Sequence, residues 1–151
     1  MSFFGTMNIS ATALTAQRLR MDVISENIAN ANTTRTSSGG PFRRQTVLFE
    51  EMSGVEAGSF RSRLDNAMGR NRSAAGRGVR VSHIVEDMRP GNIMYDPAHP
   101  DANEEGYVRM PNVNIVEEMV NMISASRSYE ANITSMNATK AMLARTLEIS
   151  R

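Results

Sequence analysis

The chain has 151 residues, a formal net charge of +1, 5% aromatic residues, no tryptophan and no cysteine. The missing cysteines exclude disulfides, thiolate nucleophiles and cysteine-based zinc sites. The balanced charge excludes a global field for nucleic acid or an anionic membrane, and no stretch approaches the roughly 20 apolar residues that span a bilayer.

The first predicted element is an amphipathic helix over about residues 7–31. Met7, Leu14, Met21 and Ile28 recur every seventh position, and Ala11, Ile24 and Ala31 extend the stripe. Glycine and proline are absent from this run, whose many Ala, Ser and Thr residues let a partner approach closely. Asn and Thr residues over 30–34, followed by Ser37, Ser38, Gly39, Gly40 and Pro41, stop the helix. The N-terminus lacks a cationic segment followed by an apolar run, so no cleaved secretory signal is expected.

The middle reads differently. Phe42–Phe49, Val79–Val85 and Ile93–Tyr95 are short extended candidates, with a turn at Arg89-Pro90-Gly91-Asn92, and a prolonged connection from Asp96 ends in Tyr107 and Val108. Residues 53–78 are polar and rich in Gly, Ser and Arg, and read as a mobile loop. Over 61–80 the local charge is strongly positive: Arg61, Arg63, Arg70, Arg72, Arg77 and Arg80 stand against Asp65. Asp96-Pro97, His99-Pro100 and Gly106 suggest a stiff connection.

The last element is a long helix after Pro111 and Asn112, with Glu117 and Glu118 favouring its N-terminal turn. Ile115, Met122, Tyr129, Met136 and Leu143 form one heptad set; Met119, Ser126, Ile133, Lys140 and Leu147 form the other, with two polar interruptions. A second apolar stripe runs through Val116, Val120, Ile123, Ala138, Met142 and Ile149. One helix of the same chain cannot cover both stripes, so the surplus points to neighbouring molecules; periodicity alone equally allows a monomeric helical hairpin with a β-rich insertion whose stripes simply form core. A chain with 12 methionines suits surfaces that adapt to several neighbours. The expected fold is mainly α with a small β-rich middle. Its long terminal helices form an antiparallel, coiled-coil-like hairpin around the insertion. The expected division is 1–35, 36–111 and 112–151.

The chemistry-bearing residues point away from catalysis. Asp96, His99, Asp101, Glu104 and Glu105 cluster in sequence, but prolines break the geometry a metal would need. His83 stands alone in a strand-like run and reads as an ordinary, partly buried residue. No phosphate loop or hydrolase motif is present. No cofactor, metal or enzymatic activity is expected. The arginine-rich segment has only Phe60 for stacking, so nucleic acid is not an expected partner.

The segment Ser25-Glu26-Asn27-Ile28-Ala29-Asn30-Ala31-Asn32-Thr33-Thr34-Arg35 resembles the N-terminal signature of flagellar basal-body rod proteins, with Asn27, Ile28, Ala29, Asn30, Asn32 and Thr33 as the matching positions. Residues Glu118–Asn132 are similar to that family's C-terminal helix. Gly40-Pro41-Phe42-Arg43-Arg44-Gln45 and Tyr95-Asp96-Pro97-Ala98-His99-Pro100-Asp101-Ala102-Asn103 extend the likeness to most of the chain outside 53–78. The short length is similar to the family's proximal members. The resemblance implies a structural subunit exported without cleavage by the flagellar type III apparatus. It further implies terminal helices that are loosely held in the monomer and order in a helical tube with copies of itself and other rod proteins, without membrane insertion. The alternative is a discrete coiled-coil oligomer acting as an adaptor.

Overall fold

A computed structural model of the chain describes residues 3–52, 67–68 and 78–149. The predicted 53–78 loop, with Arg61, Arg63, Arg70, Arg72 and Arg77, lies outside the described residues except for positions 67, 68 and 78. The element order is α1 (Phe3–Ala29), β1 (Gln45–Glu51), β2 (Val79–Glu86), β3 (Ile93–Tyr95), β4 (Tyr107–Arg109) and α2 (Ile115–Ile149). The fold is two long helices with a small β middle.

Helix α1 begins four residues earlier than its apolar stripe does, running through Gly5. An exposed glycine weakens a helix by only about 1 kcal/mol. It ends at Ala29, where the Asn30 side chain donates to the Glu26 carbonyl at 3.0 Å. Helix α2 starts three residues after Asn112 rather than at it. Asn114 is the reason: its side-chain oxygen accepts the Val116 N–H at 3.1 Å, satisfying one of the unpaired donors of the first turn.

The strands form two separate pairs, β1 with β2 and β3 with β4. The second pair is antiparallel, with Ile93 opposite Arg109, Met94 opposite Val108 and Tyr95 opposite Tyr107.

The contacts divide the chain into two compact units, each assembled from distant segments. The first comprises 1–16, 49–82 and 129–151. In it Ser10, Ala16 and Thr139 are buried, and Tyr129, Met136 and Leu143 are half-buried. Strand β2 begins against α1 there: the Val79 N–H donates to the Thr12 hydroxyl at 3.3 Å. A Cβ on Gly78 would lie 2.0 Å from that hydroxyl, and Gly78 has a φ of +116°, so glycine is required twice over. Arg80 pairs with Glu50 at 2.9 Å, with both side chains more than half exposed, so the pair adds little stability.

The second unit comprises 17–48 and 83–128. Val23, Ile24, Ala31, Val47, Val108 and Ala125 form its apolar core, joined by the buried polar residues Asn27 and Glu118. His83 is exposed rather than partly buried as expected, because β2 is uncovered from His83 to its end at Glu86.

Candidate functional site

The second unit is built around a carboxylate. Glu118, on the first turns of α2, has a side chain only 1% exposed. Its Oε2 accepts the Asn27 side-chain amide at 2.9 Å. Its Oε1 accepts Arg44 Nε at 3.0 Å, Arg44 Nη2 at 2.7 Å and Asn121 Nδ2 at 3.2 Å. Burial pushes its pKa up. The Asn27, Arg44 and Asn121 donors together outweigh burial and hold the carboxyl below its ordinary value.

Asn27 is fully buried and works in two directions. Its amide donates to the Gln45 carbonyl at 2.8 Å, and its oxygen accepts the Gln45 N–H at 2.9 Å. The side chain thus acts as a strand neighbour for the first residue of β1. Asn112 continues the network, accepting the Arg44 N–H at 2.9 Å and donating to the Asp87 carbonyl at 3.0 Å. The end of α1, the start of β1 and the start of α2 therefore meet in one satisfied polar junction, where an unpaired group would cost about 1–3 kcal/mol.

The other signature residues shape the turn after α1. Thr33 donates its hydroxyl to the Asn30 side chain at 3.1 Å, and its carbonyl accepts the Phe42 N–H at 3.0 Å. Ile28 is half-buried, while Ala29 and Asn32 are exposed. Thr34 donates to Asp101 at 2.7 Å, and Arg35 lies 3.7 Å from the same carboxylate.

The predicted assembly residues fall in different environments. Met7, Leu14, Met21 and Ile28 are half-buried, beside the buried row Ser10, Ile24 and Ala31. On α2 the most buried row is Glu118, Ala125 and Thr139, with Met122, Tyr129, Met136 and Leu143 half-buried next to it. The set containing Met119 is turned one residue further outward: Ile133 and Ser126 are half-buried, whereas Met119, Lys140 and Leu147 are exposed. The start of α2 carries a continuous exposed apolar face of Ile115, Val116, Met119, Val120 and Ile123, exposed by 40–69%. Met142 is exposed further along.

In the sequence Glu118 reads as helix-start chemistry and as the first residue of the C-terminal likeness, not as a core residue. The signal was its seven-residue spacing from Ala125, Asn132 and Thr139, a row too polar for an apolar count to find.

Asp96 accepts the Ala98 N–H at 3.1 Å and His99 Nδ1 accepts the Asp101 N–H at 3.1 Å, so both shape their own turn. Among the described residues no three His, Asp or Glu side chains converge on a possible metal position. No helix is long and apolar enough to cross a membrane among those residues.

Comparison with known proteins matches both ends of the chain. A family model described as "Flagella basal body rod protein" matches residues 7–35, and one described as "Flagellar basal body rod FlgEFG protein C-terminal" matches residues 104–149. The flagellar basal-body rod protein FlgC of Bacillus subtilis (strain 168) is 49% identical, with all of both chains covered. FlgC of Borreliella burgdorferi is also 49% identical, over 99% of this chain and 98% of its own length. FlgC of Escherichia coli O157:H7 is 37% identical, again over the full length of both.

Proposed function

The chain belongs to the flagellar basal-body rod protein family, and from that premise we propose that it joins the growing rod through the helical surface its own fold leaves uncovered. It is a structural subunit of the basal body. The adaptor alternative is not favoured, because its full-length relatives are rod proteins.

One observation carries the proposal: the apolar face Ile115, Val116, Met119, Val120 and Ile123 at the start of α2. Complete burial of such side chains is worth about 1.5–3 kcal/mol each, so covering their exposed half yields about 4–8 kcal/mol. Association costs a comparable amount, about 4–15 kcal/mol. A pairwise contact is therefore marginal in dilute solution, and neighbours on several sides are needed. This is the behaviour of a subunit that stays monomeric until it reaches the end of a polymer. The half-buried rows through Met7, Leu14, Met21 and Ile28, and through Met122, Tyr129, Ile133, Met136 and Leu143, supply further surface, as does exposed Leu147. Neighbours of this kind are copies of itself and other rod proteins, arranged as a helical tube that transmits torque and leaves a channel. Delivery by the flagellar type III export apparatus, without cleavage, completes the reading.

The test is Val120→Asp. Val120 is 61% exposed, so the variant should melt within about 2 °C of the parent, as exposed substitutions do. It should nevertheless abolish swimming in soft agar and be absent from isolated basal bodies. Normal swimming with normal incorporation would remove the helical face from the assembly surface.

A further inference from the structure

The β3–β4 hairpin of the second unit has two ends of opposite chemistry. Its open end, Ile93 opposite Arg109, borders a groove of about 380 Å³ lined also by Phe42, Arg43 and Met88. Met88 and Ile93 are 74% and 66% exposed, so the groove is apolar with arginines at its rim. Its closed end begins at Tyr95 and Tyr107, which stack edge to face with centroids 5.2 Å apart. Glu104 and Glu105 lie in the turn beyond them, which is closed by Gly106 N–H donating to the Asn103 carbonyl at 2.9 Å.

Among the described residues these acidic and basic groups form no ion pair with one another. Among the described residues of this unit, ion pairs join Arg35 to Asp101, Arg44 to Glu118 and Arg89 to Asp87. Arg43, Arg109, Glu104 and Glu105 take part in none of them and are all exposed. Arg43 lies against the Met88 sulfur, which offers no negative charge.

We propose that these two ends form a second contact between copies of this chain, in which the Glu104–Glu105 turn of one subunit seats against the Arg43–Arg109 groove of the next. A contact between two different patches of identical molecules is heterologous, and repeats into a ring or a helix rather than closing on a pair. That outcome suits a rod. Tyr95 and Tyr107 cover the apolar floor of the groove while the glutamates meet its arginine rim. Opposite charges on such a rim set register and orientation more than strength, so this contact orients subunits that the helices hold. The inference rests on the rod reading and adds to it a contact in the middle of the chain.

The absence of cysteine makes disulfide trapping direct. Differently tagged Arg43→Cys and Glu104→Cys chains are co-expressed, and basal bodies are isolated and oxidised. The mixed disulfide dimer is expected, at least about tenfold more abundant than the Arg43→Cys homodimer, because a heterologous contact separates like positions. Met88→Cys with Glu105→Cys is the second pair, which leaves both arginines in place. Basal bodies that contain both variants of each pair but yield no mixed dimer overturn the contact and leave the rod reading intact. A homodimer as abundant as the mixed one also overturns it, in favour of a like-to-like contact. Absence of the unaltered chain from basal bodies defeats the rod reading, and this inference with it.

Discussion

Glu118→Gln isolates the charge at the junction while keeping its shape. An amide oxygen can occupy the Oε1 position and still accept from Arg44 and Asn121. The amide nitrogen then occupies the Oε2 position, 2.9 Å from the Asn27 nitrogen, where two donors face each other. Breaking a buried ion pair costs about 3–5 kcal/mol. Arg44 is 21% exposed and recovers part of that from water, which brings the expected loss to about 2–4 kcal/mol. For a chain of this size that is roughly 5–12 °C in melting temperature. Thermal melts of the full chain followed by circular dichroism supply the assay. The pH dependence has a definite sign. The folded carboxyl titrates below its ordinary 4.5. Its contribution is therefore fully present above that value and is lost as pH falls through the folded pKa. The parent and the variant should differ most near pH 7 and converge in acid. Equal melting temperatures at pH 7, or a gap that widens on acidification, would refute the account of the junction.

Asn27→Ala removes the side chain that pairs both backbone groups of Gln45 and should cost about 2–4 kcal/mol by urea unfolding. Combined with Glu118→Gln it should cost about 1 kcal/mol less than the sum, because the two residues share a bond. Gly91→Ala would place a Cβ 1.9 Å from the Met110 carbonyl oxygen. It should destabilise by about 1–3 kcal/mol and speed hydrogen exchange at the Met110 amide, which bonds to the Asn92 carbonyl at 2.8 Å. Ala125 is completely buried, so Ala125→Leu should overpack the second unit and cost about 1–3 kcal/mol in the same unfolding assay.

The helices were legible because their signal is periodic and long. Met7, Leu14, Met21 and Ile28 repeat over three heptads, and α2 runs 35 residues without glycine or proline. Strands β1, β2 and β3 were legible from apolar runs bounded by turn residues, and the Pro90–Gly91 turn falls directly before β3, whereas β4, three residues long, reads in sequence only as the end of the stiff connection. The exact rows facing inward were harder. An apolar count favours Met119 over Glu118 and Ile133 over Thr139, whereas the fold buries Glu118 and Thr139. Burial of Glu118 depends on partners 74 and 91 residues away, and no local pattern contains them. Asn27 was visible as part of a family signature, but its task of pairing Gln45 appears only once β1 is placed beside the end of α1.

The proposed assembly turns the exposed apolar face of α2 into an interior surface of the rod. A Val120→Cys chain gives the most direct measurement, because no other cysteine reacts. Maleimide labelling is compared between the purified chain and isolated basal bodies. Rapid labelling of the free chain and at least about tenfold slower labelling in basal bodies is the predicted result, since burial at a packed interface excludes the reagent. Equal labelling in both would mean that no neighbour covers this face, and the account of assembly would be contradicted.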